Sequence, residues 1–166
     1  MKNNEIIVIG GGAGGMMAAA RAAELGASVT LLEKMGQPGK KILISGKTRC
    51  NLTNSRDLDE FIDMYGPNGR FLYSAFHRYF RDDLLALMKR YGVETKTERG
   101  GRIFPASDNA HDVVRALERY MSEHKVRIQR TRAAKIEVQD GKVTKVYAEK
   151  GSFPASAVIL ATGGSS

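Results

Sequence analysis

The chain has 166 residues, 42% hydrophobic and 27% charged, the size and make-up of one soluble globular domain with a buried core. A single cysteine, Cys50, excludes an intramolecular disulfide and points to a reducing, cytoplasmic setting, and three histidines without ligand-like spacing exclude a metal site. The net charge of +8 invites an anionic partner, yet the basic residues are dispersed from Lys40 to Lys150, which argues against a nucleic-acid module.

Glu5 to Ile9 is a short run rich in isoleucine and valine, the pattern of a strand buried on both faces. It is too short for the apolar core of a secretion signal, and no later stretch approaches the ~20 apolar residues of a membrane span. Glycines follow, then "MMAAARAAEL" with Gly26 behind it, a helix closed by a C-terminal glycine. Its alanines leave little bulk, so it can lie close to a sheet. "ASVTLLE" returns as a second strand ending at Glu33, which completes a βαβ unit with parallel strands.

From Lys34 to Pro67 the chain reads as loop, broken by the short apolar "KILIS" and a helical turn around "LDEFIDMY". Two helical stretches follow, the second being "RDDLLALMKRYG", with Leu84, Leu85, Met88 and Tyr91 on one face. "VETKT" and "RIFP" read as extended pieces. "SDNAHDVVRALERYMSEHK" is an amphipathic helix, with Ser107 or Asp108 placed to cap it and Val113, Val114, Leu117 and Met121 facing inward. In the last third, "VRIQ", "AKIEVQ", "KVTKVYAEK" and "AVILATGG" read as strands, and Asp140-Gly141 as a hairpin turn. The fold class is therefore α/β, a Rossmann-type parallel sheet with an antiparallel β-meander.

The chemistry-bearing pattern is Gly10-x-Gly12-x-x-Gly15, between a strand and a helix. Gly10 permits the tight turn, Gly12 lets backbone approach a pyrophosphate, and Gly15 allows close helix–strand packing. Phosphates would sit at the helix N-terminus, a contact contributing at most ~2 kcal/mol, so a second anchor is needed. Glu33 supplies it. With 17 residues between it and Gly15, it stands where a carboxylate accepts hydrogen bonds from a ribose diol and repels the 2′-phosphate of NADP.

Gly46-Lys47-Thr48 looks like the end of a nucleoside-triphosphate loop, but that motif requires glycine where this chain has Lys41. The surrounding stretch, with Lys40, Lys41, Ser45, Lys47, Arg49, Asn51, Thr53 and Asn54, is instead placed to fold back over a pyrophosphate. A solvated basic loop is the alternative. Cys50 reads as a packing residue, since no second cysteine or histidine pair supports reactivity. His77 and His111 read as surface or packing residues.

"IIVIGGGAGGMMAAARAAELGASVTLLEK", "PGKKILISGKTRCNLTN", "GRIFPAS" and "VILATGG" together resemble a family of bacterial FAD flavoproteins. That family includes aminoacetone-oxidase-like proteins and bile-acid reductases, and is more distantly similar to fumarate reductase flavoproteins. The resemblance implies FAD, with Gly10, Gly12, Ala13 and Gly14 at the pyrophosphate, Glu33 on the adenosine ribose, Lys34 beside it and Ala133 presenting backbone to adenine. It implies that Lys41, Ser45, Gly46, Asn51 and Thr53 pass along the pyrophosphate and flavin, and that Ala161, Thr162 and Gly163 return near the cofactor. It implies a two-dinucleotide-fold flavoprotein architecture in which residues 1–166 are an incomplete, N-terminal part of the FAD-binding domain. The substrate domain and the segment closing the flavin site are then absent. Lys47 and Thr48 depart from the glycines the family often has there.

The expected function is the FAD-binding part of an oxidoreductase that passes hydride through the isoalloxazine, with NAD(P)H as reductant and a small-molecule substrate met through the missing domain. Nicotinamide-driven ene reduction and amine oxidation with oxygen both fit. The isolated chain is expected to be inactive, to bind FAD weakly or not at all, and to self-associate. A plain NAD-binding domain and a basic nucleic-acid-binding module are the alternatives. No catalytic residue is assigned.

Overall fold

A computed structural model of the chain describes residues 5–164. Two compact units share the chain: one is built from the chain up to Ile42 and from Leu117 onward, the other from Leu43–Ala116.

The first unit holds a four-stranded, wholly parallel sheet of β1 (Glu5–Ile9), β2 (Ser28–Glu33), β6 (Arg127–Arg130) and β10 (Ala157–Leu160), in the order β10-β1-β2-β6. Ile7 and Val8 are successive residues and both fully buried, so β1 is covered on both faces as its unbroken apolar run requires. Helix α1 (Ala13–Glu24) connects β1 to β2 and buries Gly15, Met16, Ala19 and Ala20. It ends as the sequence predicts. Gly26 is left-handed at φ +91°, its N–H donates to the Ala23 carbonyl, and the Ala27 N–H reaches back to Ala22. These two bonds satisfy carbonyls the helix end leaves open.

An antiparallel meander of β7 (Ala133–Gln139), β8 (Lys142–Ala148) and β9 (Gly151–Pro154) packs on the parallel sheet. Ile7 and Leu32 from the parallel sheet share one core with Val146, Ile136, Val143 and Phe153 from the meander. Asp140 and Gly141 both have positive φ (49° and 73°), the two-residue turn expected between β7 and β8. Two features were not legible in advance. β9 is a separate strand, and "VRIQ" joins the parallel sheet beside β2. Arg127 then meets Glu5 across the sheet, which places Glu5 below the usual carboxylate range; burial opposes this, and the Arg127, Ser28 and Thr30 hydrogen bonds outweigh it.

The second unit contains a small antiparallel sheet, order β3-β5-β4, formed by Thr53–Asn54, Arg102–Pro105 and Thr95–Thr97. Around it stand α3 (Leu58–Asp63), α4 (Tyr73–Arg78) and α5 (Arg81–Arg90), with a 3-10 helix over Gly66–Leu72. Asp57 caps α3 by accepting the Glu60 N–H at 2.9 Å. Phe61, Tyr65, Phe76 and Phe80 form an aromatic cluster with ring centroids 5.2–6.0 Å apart.

"KILIS" is mostly a single helical turn, α2 (Lys40–Ile44): Ile42 is buried while Ile44 is 71% exposed. Helix α6 (Ala110–Glu123) buries Val113, Val114, Leu117 and Met121 as predicted. Its cap is different from the expected one. Asn109 accepts the His111 N–H at 3.0 Å, whereas Asp108 turns to Lys96 and Arg49, and the Ser107 hydroxyl donates to Asp112. An ion pair and a carboxylate acceptor outcompete the capping role for those two side chains. No helix among the described residues is long and apolar enough to cross a membrane.

Candidate functional site

The sheet's strand ends carry the candidate site. β1 stops at Ile9, and Gly10 turns the chain with φ +106°, a conformation side chains resist. A Cβ on Gly10 would stand 2.4 Å from the Ala161 carbonyl oxygen, and one on Gly15 would stand 1.8 Å from the Gly10 carbonyl oxygen. The Ala161 N–H donates to the Ile9 carbonyl at 2.9 Å, so the end of β10 closes against the same turn. Gly10 and Gly15 are small because a side chain there would run into backbone.

Gly12 and Gly14 are small for another reason. A Cβ at either would meet no protein atom within 4 Å. Gly12 caps α1 with extended backbone, supplies no side-chain cap, and no acidic residue follows in the first turn. Ala13 and Gly14 are exposed, and their N–H groups have no acceptor within the helix. The protein's own packing therefore does not demand glycine at 12 or 14, whereas a phosphate-bearing group approaching a helix N-terminus does.

Glu33 ends β2 and is 7% exposed. One carboxylate oxygen accepts the Gly11 N–H at 2.5 Å and the other accepts the Met35 N–H at 2.6 Å. The acid is thus held beside the glycine turn, where the sequence pattern requires it. Gly11 was missed by the sequence reading: it occupies a free position of the motif, and only the run of three glycines from Gly10 hinted that it, too, must be small. Lys34 is exposed next to Glu33, while Ala133 opens β7 and packs in the core around Leu32.

The connection after Glu33 folds back onto the turn. The Gly39 N–H donates to the Gly11 carbonyl at 2.7 Å, and the Lys41 ammonium lies 3.7 Å from where a Cβ on Gly163 would stand. Lys41 is therefore near the segment following β10, with Thr162 and Gly163 exposed beside it.

Ser45, Gly46, Asn51 and Thr53 belong to the second unit. Gly46, Lys47, Thr48 and Cys50 all have φ between 54° and 68°, a left-handed turn following α2. A phosphate loop leads from a strand into a helix; this turn follows a helix and leads to β3, so the triphosphate reading fails on geometry as well as spacing. A Cβ on Gly46 would stand 2.7 Å from the Asn51 nitrogen. The Asn51 amide, oriented to donate, reaches the carbonyls of Thr53 (3.1 Å) and Ile103 (3.3 Å), and Thr53 pairs with Ile103. Arg49 stacks over Phe104 at 4.1 Å and pairs with Glu98 (2.8 Å) and Asp108 (3.2 Å). Cys50 is buried, and burial pushes its thiol pKa up against a lowering Ser45 hydrogen bond, the behaviour of a packed cysteine.

A shallow cleft of ~280 Å³ lies elsewhere in the first unit, lined by Glu5, Thr30, Arg127, Gln129, Phe153 and Pro154. The Glu5–Arg127 pair occupies its wall, and none of the candidate residues lines it.

The HI0933-like protein Rossmann domain model matches residues 4–166. The chain belongs to that family. HI0933-like membership makes the parallel sheet and its glycine turn a Rossmann-type domain of the flavoprotein-oxidoreductase kind, and implies FAD-type binding. A 3-dehydro-bile acid delta(4,6)-reductase from Clostridium scindens is 37% identical over 144 residues, which cover 83% of this chain and 33% of that protein. A ribosomal RNA dihydrouridine synthase from Haemophilus influenzae is 30% identical over 149 residues, covering 87% of this chain and 36% of its own. The chain spans about a third of the length of these curated relatives. Among solved structures, the Mycobacterium smegmatis Sdh1 complex in the apo form is similar in fold, with a TM-score of 0.72 at 21% identity over 96% of this chain and 34% of that one.

Proposed function

We propose that this chain is the FAD-binding part of a flavin-dependent reductase that adds hydrogen across a carbon–carbon double bond beside a carbonyl. The observation that carries the cofactor assignment is the meeting of Glu33 with an open glycine turn at the N-terminus of α1. When bound, FAD supplies hydride chemistry through its isoalloxazine. This chain's residues bind and orient. The Ala13 and Gly14 N–H groups receive the pyrophosphate, and Glu33 accepts the ribose hydroxyls with Lys34 alongside. Lys41 adds positive charge near Gly163 and Thr162. Gly10, Gly15 and Ala161 keep the turn closed. Ala133 at adenine, and Ser45, Gly46, Asn51 and Thr53 along the flavin, are further proposed contacts.

The reaction class rests on the two curated relatives described above. One is named a reductase of delta(4,6) positions in a 3-dehydro bile acid, the other a synthase of dihydrouridine. Both names describe saturation of a double bond conjugated to a carbonyl, which favours reduction, with NAD(P)H as reductant, over amine oxidation. A steroid-like enone and a uracil ring in RNA are the two substrate classes. The net charge of +8 is compatible with RNA, while the dispersion of the basic residues and the higher identity favour the small molecule. RNA binding that weakens steeply with salt would decide for the nucleic acid.

The chain alone is expected to bind FAD weakly and to self-associate through exposed apolar groups such as Leu160. Calorimetric titration with FAD, NAD and NADP tests the cofactor assignment. FAD should bind, Glu33→Ala should weaken it, and NADP should be excluded. Preference for NAD would support a plain nicotinamide-binding domain, and binding of NADP equal to FAD would defeat the ribose assignment.

A further inference from the structure

We propose that Gly11 is a positioning residue, whose N–H and missing side chain lock the Glu33 carboxylate in the orientation that a free ribose diol requires. This rests on the reading that FAD places its adenosine ribose at Glu33.

A glutamate at a strand end has three rotatable side-chain bonds and would ordinarily sample several rotamers. Here it cannot. The Gly11 N–H holds one oxygen at 2.5 Å and the Met35 N–H holds the other at 2.6 Å, from opposite sides in the chain. Each carboxylate oxygen has a second acceptor site, so two hydroxyl donors can still be received.

The same residue leaves no slack. A Cβ on Gly11 would stand 2.7 Å from the bound oxygen, 3.2 Å from Glu33 Cγ and 3.2 Å from Pro38 Cβ. Its φ is not in the left-handed region, so what alanine would meet here is not backbone strain but the carboxylate, which it would have to displace. The Gly11 carbonyl accepts the Gly39 N–H at 2.7 Å, so the loop carrying Pro38 is tied to the same point. Gly10 and Gly15 answer to backbone, Gly12 and Gly14 to open space, and Gly11 alone in this turn answers to the acid.

The experiment compares the full chain with Gly11→Ala, Glu33→Ala and the double variant, titrated with FAD and with FMN, which lacks the adenosine ribose. Gly11→Ala should lower FAD affinity tenfold or more and leave FMN binding unchanged. In the Glu33→Ala background, adding Gly11→Ala should cost far less than in the wild type, because the carboxylate it displaces is gone and only the Pro38 contact remains. Amide NMR supplies a second readout without ligand: Glu33→Ala should strip exchange protection from the Gly11 and Met35 amides together. Equal losses for FAD and FMN, or additive losses in the double variant, would mean only a structural role and would overturn the proposal. Unchanged Gly11 and Met35 amides would overturn it even if Gly11→Ala failed to fold. A wild-type chain that binds neither flavin, yet shows the paired amide response, would sink the FAD reading and leave the clamp standing.

Discussion

The turns at Gly10–Gly15 and Gly46–Cys50 both look like phosphate loops in the sequence, and they are built on opposite terms. In the first, the residues under geometric pressure, Gly10, Gly11 and Gly15, are all glycine, and the two glycines free of pressure, Gly12 and Gly14, face open space. In the second, Lys47, Thr48 and Cys50 adopt left-handed backbone despite carrying side chains. Each such residue costs ~1–2 kcal/mol, and interactions outside the turn must offset that. The Arg49 contacts with Glu98, Asp108 and Phe104 do so, together with the Ala110 N–H, which donates to the Thr48 carbonyl at 3.0 Å. A turn can thus be shaped by what its residues lack or by what latches them.

The largest expected effect separates these cases. Gly15→Ala should destabilise the fold by roughly 3 kcal/mol, since its methyl group meets the Gly10 carbonyl; a urea midpoint like that of the wild type would contradict the packing. Gly12→Val should do the reverse: unfolding stability within about 1 kcal/mol of wild type, but FAD binding lost in a titration. If both variants behave alike, the distinction within the first turn is wrong.

The latch of the second turn is tested next. Arg49→Ala should lower the melting temperature and raise amide exchange across Lys47–Cys50, while leaving Gly11 and Met35 protection intact. The latch should also respond to acid. The Lys96 hydrogen bond, with Arg49 adding and burial opposing, holds Asp108 below the usual carboxylate range. A carboxyl depressed in the folded state contributes stability above its unfolded pKa and loses it as pH falls through the folded value. Melting curves from pH 7 down to pH 3 should therefore show a loss below about pH 4 that Asp108→Asn reduces. The smallest effect is a gain: Lys47→Gly and Thr48→Gly should each stabilise by roughly 0.5–1 kcal/mol, the left-handed strain removed less the entropy glycine adds to the unfolded chain. Destabilisation by either would mean those side chains hold the turn.

Much of the first unit was legible because its signals are local. The buried run Glu5–Ile9, the alanine face of α1, the glycine behind it and the Asp140-Gly141 hairpin each follow from neighbours a few residues apart. Glu33 was legible too, because a βαβ unit fixes the distance from glycine turn to strand end. The illegible features depend on remote partners. Nothing near Asp108 announces Lys96 and Arg49, which take its side chain and leave the α6 cap to Asn109. Nothing in the short apolar "KILIS" tells strand from helix, and only the folded chain makes it one helical turn.

The sequence by itself determined the class of fold, the glycine turn and the acid that answers it, since spacing along a strand–helix–strand unit leaves the chain few alternatives. The tertiary structure alone decided which glycines the protein's own packing requires to be small and which it does not. It also decided that Gly11 and Met35 would hold the acid, and that lysine and threonine would be driven into left-handed backbone. Those outcomes depend on atoms brought together from distant parts of the chain, and steric exclusion acts through space without regard to sequence separation.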